Sequence, residues 1–163
     1  MTETPSPAIG AAIPLLFTYR DCLFGNGFVV EVQATNGRAL CVHESDGFWM
    51  YGVNPGAMAA FGKDPTEAHS EFRQMFSNIL KDLAQESSGL DEFRSRVSQF
   101  FSDTNPGHER DWLRAVDAVR KEGVTVEGIP KAPANSPRQI VVSMKKIFSA
   151  NDNEASIQLA RAA

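Results

Sequence analysis

The chain has 163 residues, 42% of them hydrophobic and 22% charged, with a formal net charge of −4 and a pI near 5.4. That composition is that of an ordinary globular chain with enough apolar material for one core of its own. The acidic balance argues against wrapping nucleic acid without regard to sequence, which needs many Lys and Arg to displace counterions, and it suits a basic protein partner.

Residues 1–7 hold two prolines among small polar residues and read as a frayed tail. Leu15, Phe17, Tyr19 and Leu23 predict a first strand over 15–24, and Gly25-Asn26-Gly27 a turn. In Phe28–Gln33 the residues Phe28, Val30 and Val32 share one face and Val29, Glu31 and Gln33 the other. Asn36-Gly37 is a strong hairpin signal, so Arg38–His43 is expected to return as a separate strand. Asp46-Gly47 predicts another turn, Phe48–Val53 an aromatic-rich strand, Asn54-Pro55-Gly56 a turn and Ala57–Phe61 a short strand. Strands joined by tight turns pair antiparallel, since a parallel crossover needs a dozen or more residues.

Asp64 is a strong N-cap, with Pro65 at the first helical position and Glu67 at capping-box spacing. Ala68, Phe72, Met75, Phe76, Ile79, Leu80 and Leu83 then recur at intervals of three and four and predict one apolar stripe. Ser87-Ser88-Gly89 ends this helix. Leu90, Phe93, Val97, Phe100 and Phe101 predict a second helix. Asn105-Pro106 opens a third, with Trp112, Leu113, Val116 and Val119 on one face and Gly123 at its stop. Gly128–Pro137 reads as a proline-rich linker, Gln139–Met144 as a late strand, and residues 151–163 as a flexible tail.

The expected fold is therefore α+β: an antiparallel meander of four to six strands packed on two or three helices in two layers. One domain spans 1–150, with a core over 15–86, a helical extension over 88–123, a linker over 124–137 and a closing strand over 138–147.

Cys22 and Cys41, the two cysteines, belong to no C-x-x-C or zinc-type cluster and are expected as buried free thiols. No basic segment followed by a long apolar stretch is seen near the start, and Ala8–Phe17 is broken by Gly10 and Pro14. The expectation is a cytoplasmic protein that does not enter a membrane.

No residues assemble into a catalytic, cofactor or metal motif. His43, His69 and His108 are candidate general bases, but no nucleophile or orienting acid accompanies them. Glu31, Glu44 and Asp46 are candidate ligands for a divalent metal, against the plainer reading of solvent-facing charge and turn residues. Trp49 and Tyr51 share one strand face and form a candidate base-stacking or partner surface, with Glu67 and Glu71 on the first helix as further partner-surface candidates. Basic neighbours for nucleic acid are few. Arg138, Lys145 and Lys146 form a small basic cluster around the late strand. Such a strand can enter a DNA major groove in a ribbon-helix-helix module, yet only 19 residues follow Met144, too few for two ordinary helices. A closing sheet strand is the simpler reading.

The stretch Gly27–Leu83 resembles the HicB antitoxin family and its orphan relatives. The resemblance rests on Phe48, Trp49, Tyr51 and Val53, then Pro55-Gly56, then Ala57–Gly62, then Asp64-Pro65-Thr66-Glu67-Ala68 at the start of the helix. It implies a partial ribonuclease-H-like fold without catalytic acids, binding to a small basic ribonuclease toxin, and a separate C-terminal DNA-binding domain. The strand before Phe28 and the two helices between Ser88 and Gly123 depart from that plan, and a full DNA-binding module is missing. The expected function is a non-catalytic protein-interaction module with no cofactor, whose exposed sheet edges admit a homodimer. The alternative is a small-molecule-binding domain or small enzyme with a site between sheet and helices.

Overall fold

The structure, a computed structural model, describes residues 10–122 and 140–150. The elements are β1 (Ala12–Gly25), β2 (Phe28–Glu44), β3 (Gly47–Asn54), β4 (Ala59–Gly62), α1 (Pro65–Glu86), α2 (Leu90–Ser102), α3 (Pro106–Glu122) and β5 (Val141–Ser149). The expected tail at 1–7, the helix stop at Gly123, the linker at 124–137, Arg138 and the tail at 151–163 lie outside the described residues.

The α+β fold predicted from the sequence is present, as a curled antiparallel sheet of five strands with three helices. Its spine is β2, which pairs with β1 from Phe28 to Val42. On its other side β2 pairs with β5 over Phe28–Thr35 and with β3 over Arg38–Glu44. The change of partner falls at Asn36-Gly37.

That dipeptide does not make the hairpin expected of it, because β2 runs straight through it. Asn36 has φ 61°, and the register against β1 steps from Phe17↔Gly37 to Tyr19↔Ala34. Two residues of β2 therefore oppose one of β1, which is a bulge. A bulge needs the same left-handed backbone as a hairpin turn, and Asn-Gly supplies it for either. The inward parity changes there, from Phe28, Val30, Val32 and Ala34 to Ala39 and Cys41, all of them in one core. A straight register would have turned one of those sets to the opposite face. The bulge keeps both inward. Gly37 lies under the Phe17 ring, where an added Cβ would stand 2.4 Å from a ring carbon.

The helix start follows its predicted chemistry. Asp64 Oδ1 accepts from the Glu67 backbone N–H at 2.8 Å, and Glu67 Oε2 accepts from the Lys63 N–H at 2.6 Å. The pair satisfies one free donor of the first turn, the Glu67 N–H, and the Lys63 N–H just ahead of the cap. Ala68, Phe72, Phe76, Leu80 and Ala84 are the buried stripe of α1. Phe76 meets Phe17, Tyr19 and Phe101 with centroids 5.0–5.6 Å apart, and Phe100 at 6.0 Å. At the far end of α1, Asn26 Nδ2 from the β1–β2 turn donates to the carbonyls of Gln85 and Ser87 at 2.9 and 3.1 Å.

Helices α1 and α2 cover the face that carries Phe48, Met50, Ala39 and Cys41. Helix α3 takes the other face: Trp112, Ala115 and Val116 form a second, smaller core with Leu40 and Val53. The chain changes sides around the Asn54-Pro55-Gly56 turn. Asn54 Nδ2 donates to the Phe101 carbonyl, the Gly56 N–H to the Asp103 carbonyl at 2.8 Å, and the Asn105 N–H to the Val53 carbonyl at 3.3 Å. A Cβ at Gly56 would lie 2.3 Å from the Asn105 nitrogen, so only glycine lets the two backbones approach this closely.

Cys41 is buried as expected, but Cys22 is exposed. Cys22 and Phe24 alternate with the core residue Leu23, and they occupy the half of the sheet face that no described helix covers. Burial pushes the Cys41 thiol up to about 11. The native protein at pH 8 is expected to react quickly at one thiol per chain with a disulfide reagent, and Cys22→Ser to abolish that fast phase. Two fast thiols would contradict the burial of Cys41.

Candidate functional site

Strand alternation divides β3 cleanly. Phe48 and Met50 enter the main core, and Trp49 and Tyr51 stand partly exposed on the opposite face. Trp49 and Tyr51 stack on each other, centroids 6.0 Å apart and planes within 12°. The β3–β4 register sets Phe61 directly beside Trp49, with centroids 5.4 Å apart. On the far side, His108 at the start of α3 lies 4.8 Å from the Tyr51 ring. Four rings thus run from β4 across β3 to α3.

His108 is held from two sides. Its N–H donates to the capping Asn105 Oδ1 at 3.0 Å, and its Nδ1 lies 3.1 Å from the Gly52 carbonyl oxygen. The Tyr51 hydroxyl donates to Glu44 Oε1 at 2.7 Å. Burial, that hydrogen bond and the negative charges of Glu44 and Asp46 together push Tyr51 up to about 12. Burial also raises Tyr19, and these are the two tyrosines of the chain. Folded Tyr51 therefore keeps its proton where an unfolded tyrosine, near pH 10, has lost it. The unfolded chain then binds fewer protons, so stability is expected to fall as pH rises from about 10 to about 12. Tyrosinate absorbance of the native protein should show little ionisation at pH 10. A full two-tyrosine titration centred there would contradict it.

Arg38, on β2 opposite Asn54, is only 2% exposed. Its Nη2 donates to Glu109 Oε1 at 3.0 Å, and its guanidinium carbon sits 5.3 Å from the Trp112 ring centroid. Among the described residues its buried Nε and Nη1 have no hydrogen-bond partner. The Trp112 Nε1–H donates to the Leu15 carbonyl at 3.3 Å.

The residues singled out from sequence fall in several places. Trp49 and Tyr51 are together, as their alternation predicted. Glu67 and Glu71 are exposed on α1, the helix of the opposite sheet face. Glu67 also belongs to the capping box, so reversing its charge would disturb the helix start as well as any surface. Lys145 and Lys146 are consecutive on β5 and pair across to Glu31 and Val30. They consequently point to opposite faces and form no single basic patch. Glu31 is 3.1 Å from Arg20 and lies at the other end of β2 from Glu44, about 40 Å along the strand at 3.3 Å per residue. His43 stacks on Phe48, centroids 4.4 Å apart, while His69 sits on α1, lowered by burial and by Arg73. The three histidines are thus on three separate elements.

Among the described residues no group of three or more His, Cys, Asp or Glu side chains is placed to hold a metal ion. No described helix is long and apolar enough to cross a membrane. A shallow groove of about 910 Å³ runs beside α2, lined by Leu83, Arg96, Gln99, Phe100, Ser102 and Asp103. It brings one arginine and one aspartate to an open surface.

Sequence reasoning missed Phe61, His108 and the Arg38–Glu109 pair as neighbours of this surface. Phe61 was reachable by counting back from Trp49 through the Pro-Gly turn. Arg38 was also visible as a charge beside the apolar run Ala39–Val42. His108 was not, because its position depends on which sheet face α3 chooses. Comparison with protein-family models, curated proteins and solved structures returned no match.

Proposed function

We propose that the protein is a non-catalytic interaction module, similar in role to a HicB-type antitoxin, that binds a small basic protein through the Phe61–Trp49–Tyr51 face of its sheet. The observation that carries this reading is the aromatic row itself. Large rings left partly exposed beside carboxylates, on a face only partly covered by α3, suit a docking surface. Glu44 and Asp46 at its margin and the net charge of −4 favour a cationic partner. They oppose nucleic-acid phosphates at the same surface.

The test is purification from the native host at low salt, followed by identification of the polypeptide that co-elutes at fixed stoichiometry. Re-association is then measured from purified components. A basic polypeptide whose binding weakens at least ten-fold with Trp49→Ala supports the reading. A chain that elutes alone, or a partner indifferent to Trp49→Ala, overturns it.

A further inference from the structure

We infer that the Phe61–Trp49–Tyr51 row, with Glu44 and Asp46 at its margin, receives an arginine side chain presented by a basic protein partner. The inference rests on the interaction reading above and names the group that the surface recognises. The faces of aromatic rings carry negative quadrupole density and attract cations within about 6 Å of the centroid. Trp49, the best ring for this, is partly exposed, flanked by Phe61 and stacked on Tyr51. Such a surface alone would accept any cation or a flat apolar group. The carboxylates restrict the choice.

Tyr51 engages Glu44 through Oε1 at 2.7 Å, which orients that carboxylate from the protein side. The charge of Asp46 reaches the same hydroxyl. A guanidinium satisfies both parts at once: its plane lies on an aromatic ring while its edge donates to a carboxylate. A lysine ammonium is a compact, strongly hydrated charge and cannot stack in this way. The sheet side of the site is rigid, since Phe61 and Trp49 are a registered cross-strand pair and Tyr51 is braced by His108.

The chain contains its own control. Of its two tryptophans, Trp49 lies on the row, and Trp112 is 1% exposed with its indole N–H bonded to Leu15. The full chain, labelled with ¹⁵N, is titrated with an acetylated hexa-arginine amide and with the matching hexalysine and hexacitrulline peptides. The Trp49 indole resonance should move and saturate with hexa-arginine while that of Trp112 stays in place. Hexacitrulline should leave both unmoved, and hexalysine should bind about five-fold more weakly, as should hexa-arginine on Glu44→Gln/Asp46→Asn and, with binding read by calorimetry, on Trp49→Leu. Unmoved Trp112 in each variant reports an intact fold.

Equal binding of hexalysine and hexa-arginine overturns the inference in favour of general charge attraction, and a Trp49 resonance that never moves overturns it outright. If Trp49 stays unmoved by hexa-arginine while the purified partner still loses affinity on Trp49→Leu, the arginine assignment falls and the interaction reading stands. A partner indifferent to Trp49→Leu removes both.

Discussion

Replacing Trp112 with alanine should destabilise the protein by about 3–5 kcal/mol, the range for truncating a large buried aromatic ring. Trp112 is the largest fully buried side chain and the centre of the second core, packed among Leu40, Val53, Ala115 and Val116. The substitution removes that burial, the indole hydrogen bond to Leu15 and the aromatic surface beside Arg38. It leaves a buried guanidinium next to a cavity. Because α3 is held to the sheet mainly through this cluster, its loss should also release His108 from Tyr51. Urea unfolding gives the energy, and the Trp49 fluorescence of the variant reports the surface. A cost below about 1 kcal/mol, well short of a buried ring, would mean that α3 is not anchored by Trp112.

The second expectation concerns Arg38 and Glu109, where the two members of one ion pair should behave oppositely. Removing one partner of a buried pair typically costs about 3–5 kcal/mol, because the other charge is left buried and alone. Glu109 is about a third exposed, so water offsets part of that loss. Glu109→Ala is accordingly expected to cost about 2–3 kcal/mol after that discount. Arg38→Met should cost little, within about 1 kcal/mol, or stabilise, since it removes two buried nitrogens that have no partner among the described residues. The double variant should recover most of what Glu109→Ala loses. The cycle is read by chemical denaturation. A large loss on Arg38→Met together with a small one on Glu109→Ala would reverse the assignment, and Arg38 would then be held by its stacking on Trp112.

The two expectations concern the parts of the molecule that were hardest to read from sequence. The turns at Gly25-Asn26-Gly27, Asp46-Gly47 and Asn54-Pro55-Gly56, the cap at Asp64 and the stripe of α1 are local events, settled by residues within one or two turns of each other, and they stand where the pattern placed them. Asn36-Gly37 is local as well, yet it misled. Its backbone preference is genuine and is met by Asn36 at φ 61°. Whether that preference closes a hairpin or opens a bulge depends on β1, whose 14 residues are long enough to accompany β2 past it. The parity change between Ala34 and Ala39 was the available clue, since a strand that keeps one core on both sides of a parity change must bulge.

The same division holds for the candidate surface. Alternation alone placed Trp49 and Tyr51 opposite Phe48 and Met50, and capping chemistry alone placed Asp64 and Glu67. The apolar stripes of α2 and α3 were equally legible, but a stripe says only that a helix must be buried and not against what. The docking of Asn105 and Asp103 on the Asn54–Gly56 turn decides that α3 crosses to the far face. That crossing buries Arg38, brings Glu109 to it and sets His108 against Tyr51. The sequence by itself therefore determined the helices, the cap at Asp64 and which side chains share a face within each uninterrupted run of strand, because those follow from short-range sterics and hydrogen bonding. Only the tertiary structure decided how β2 divides its edge between β3 and β5, which face receives α3, and so which rings and charges meet at the surface. Each of those depends on the simultaneous fit of segments far apart in the chain.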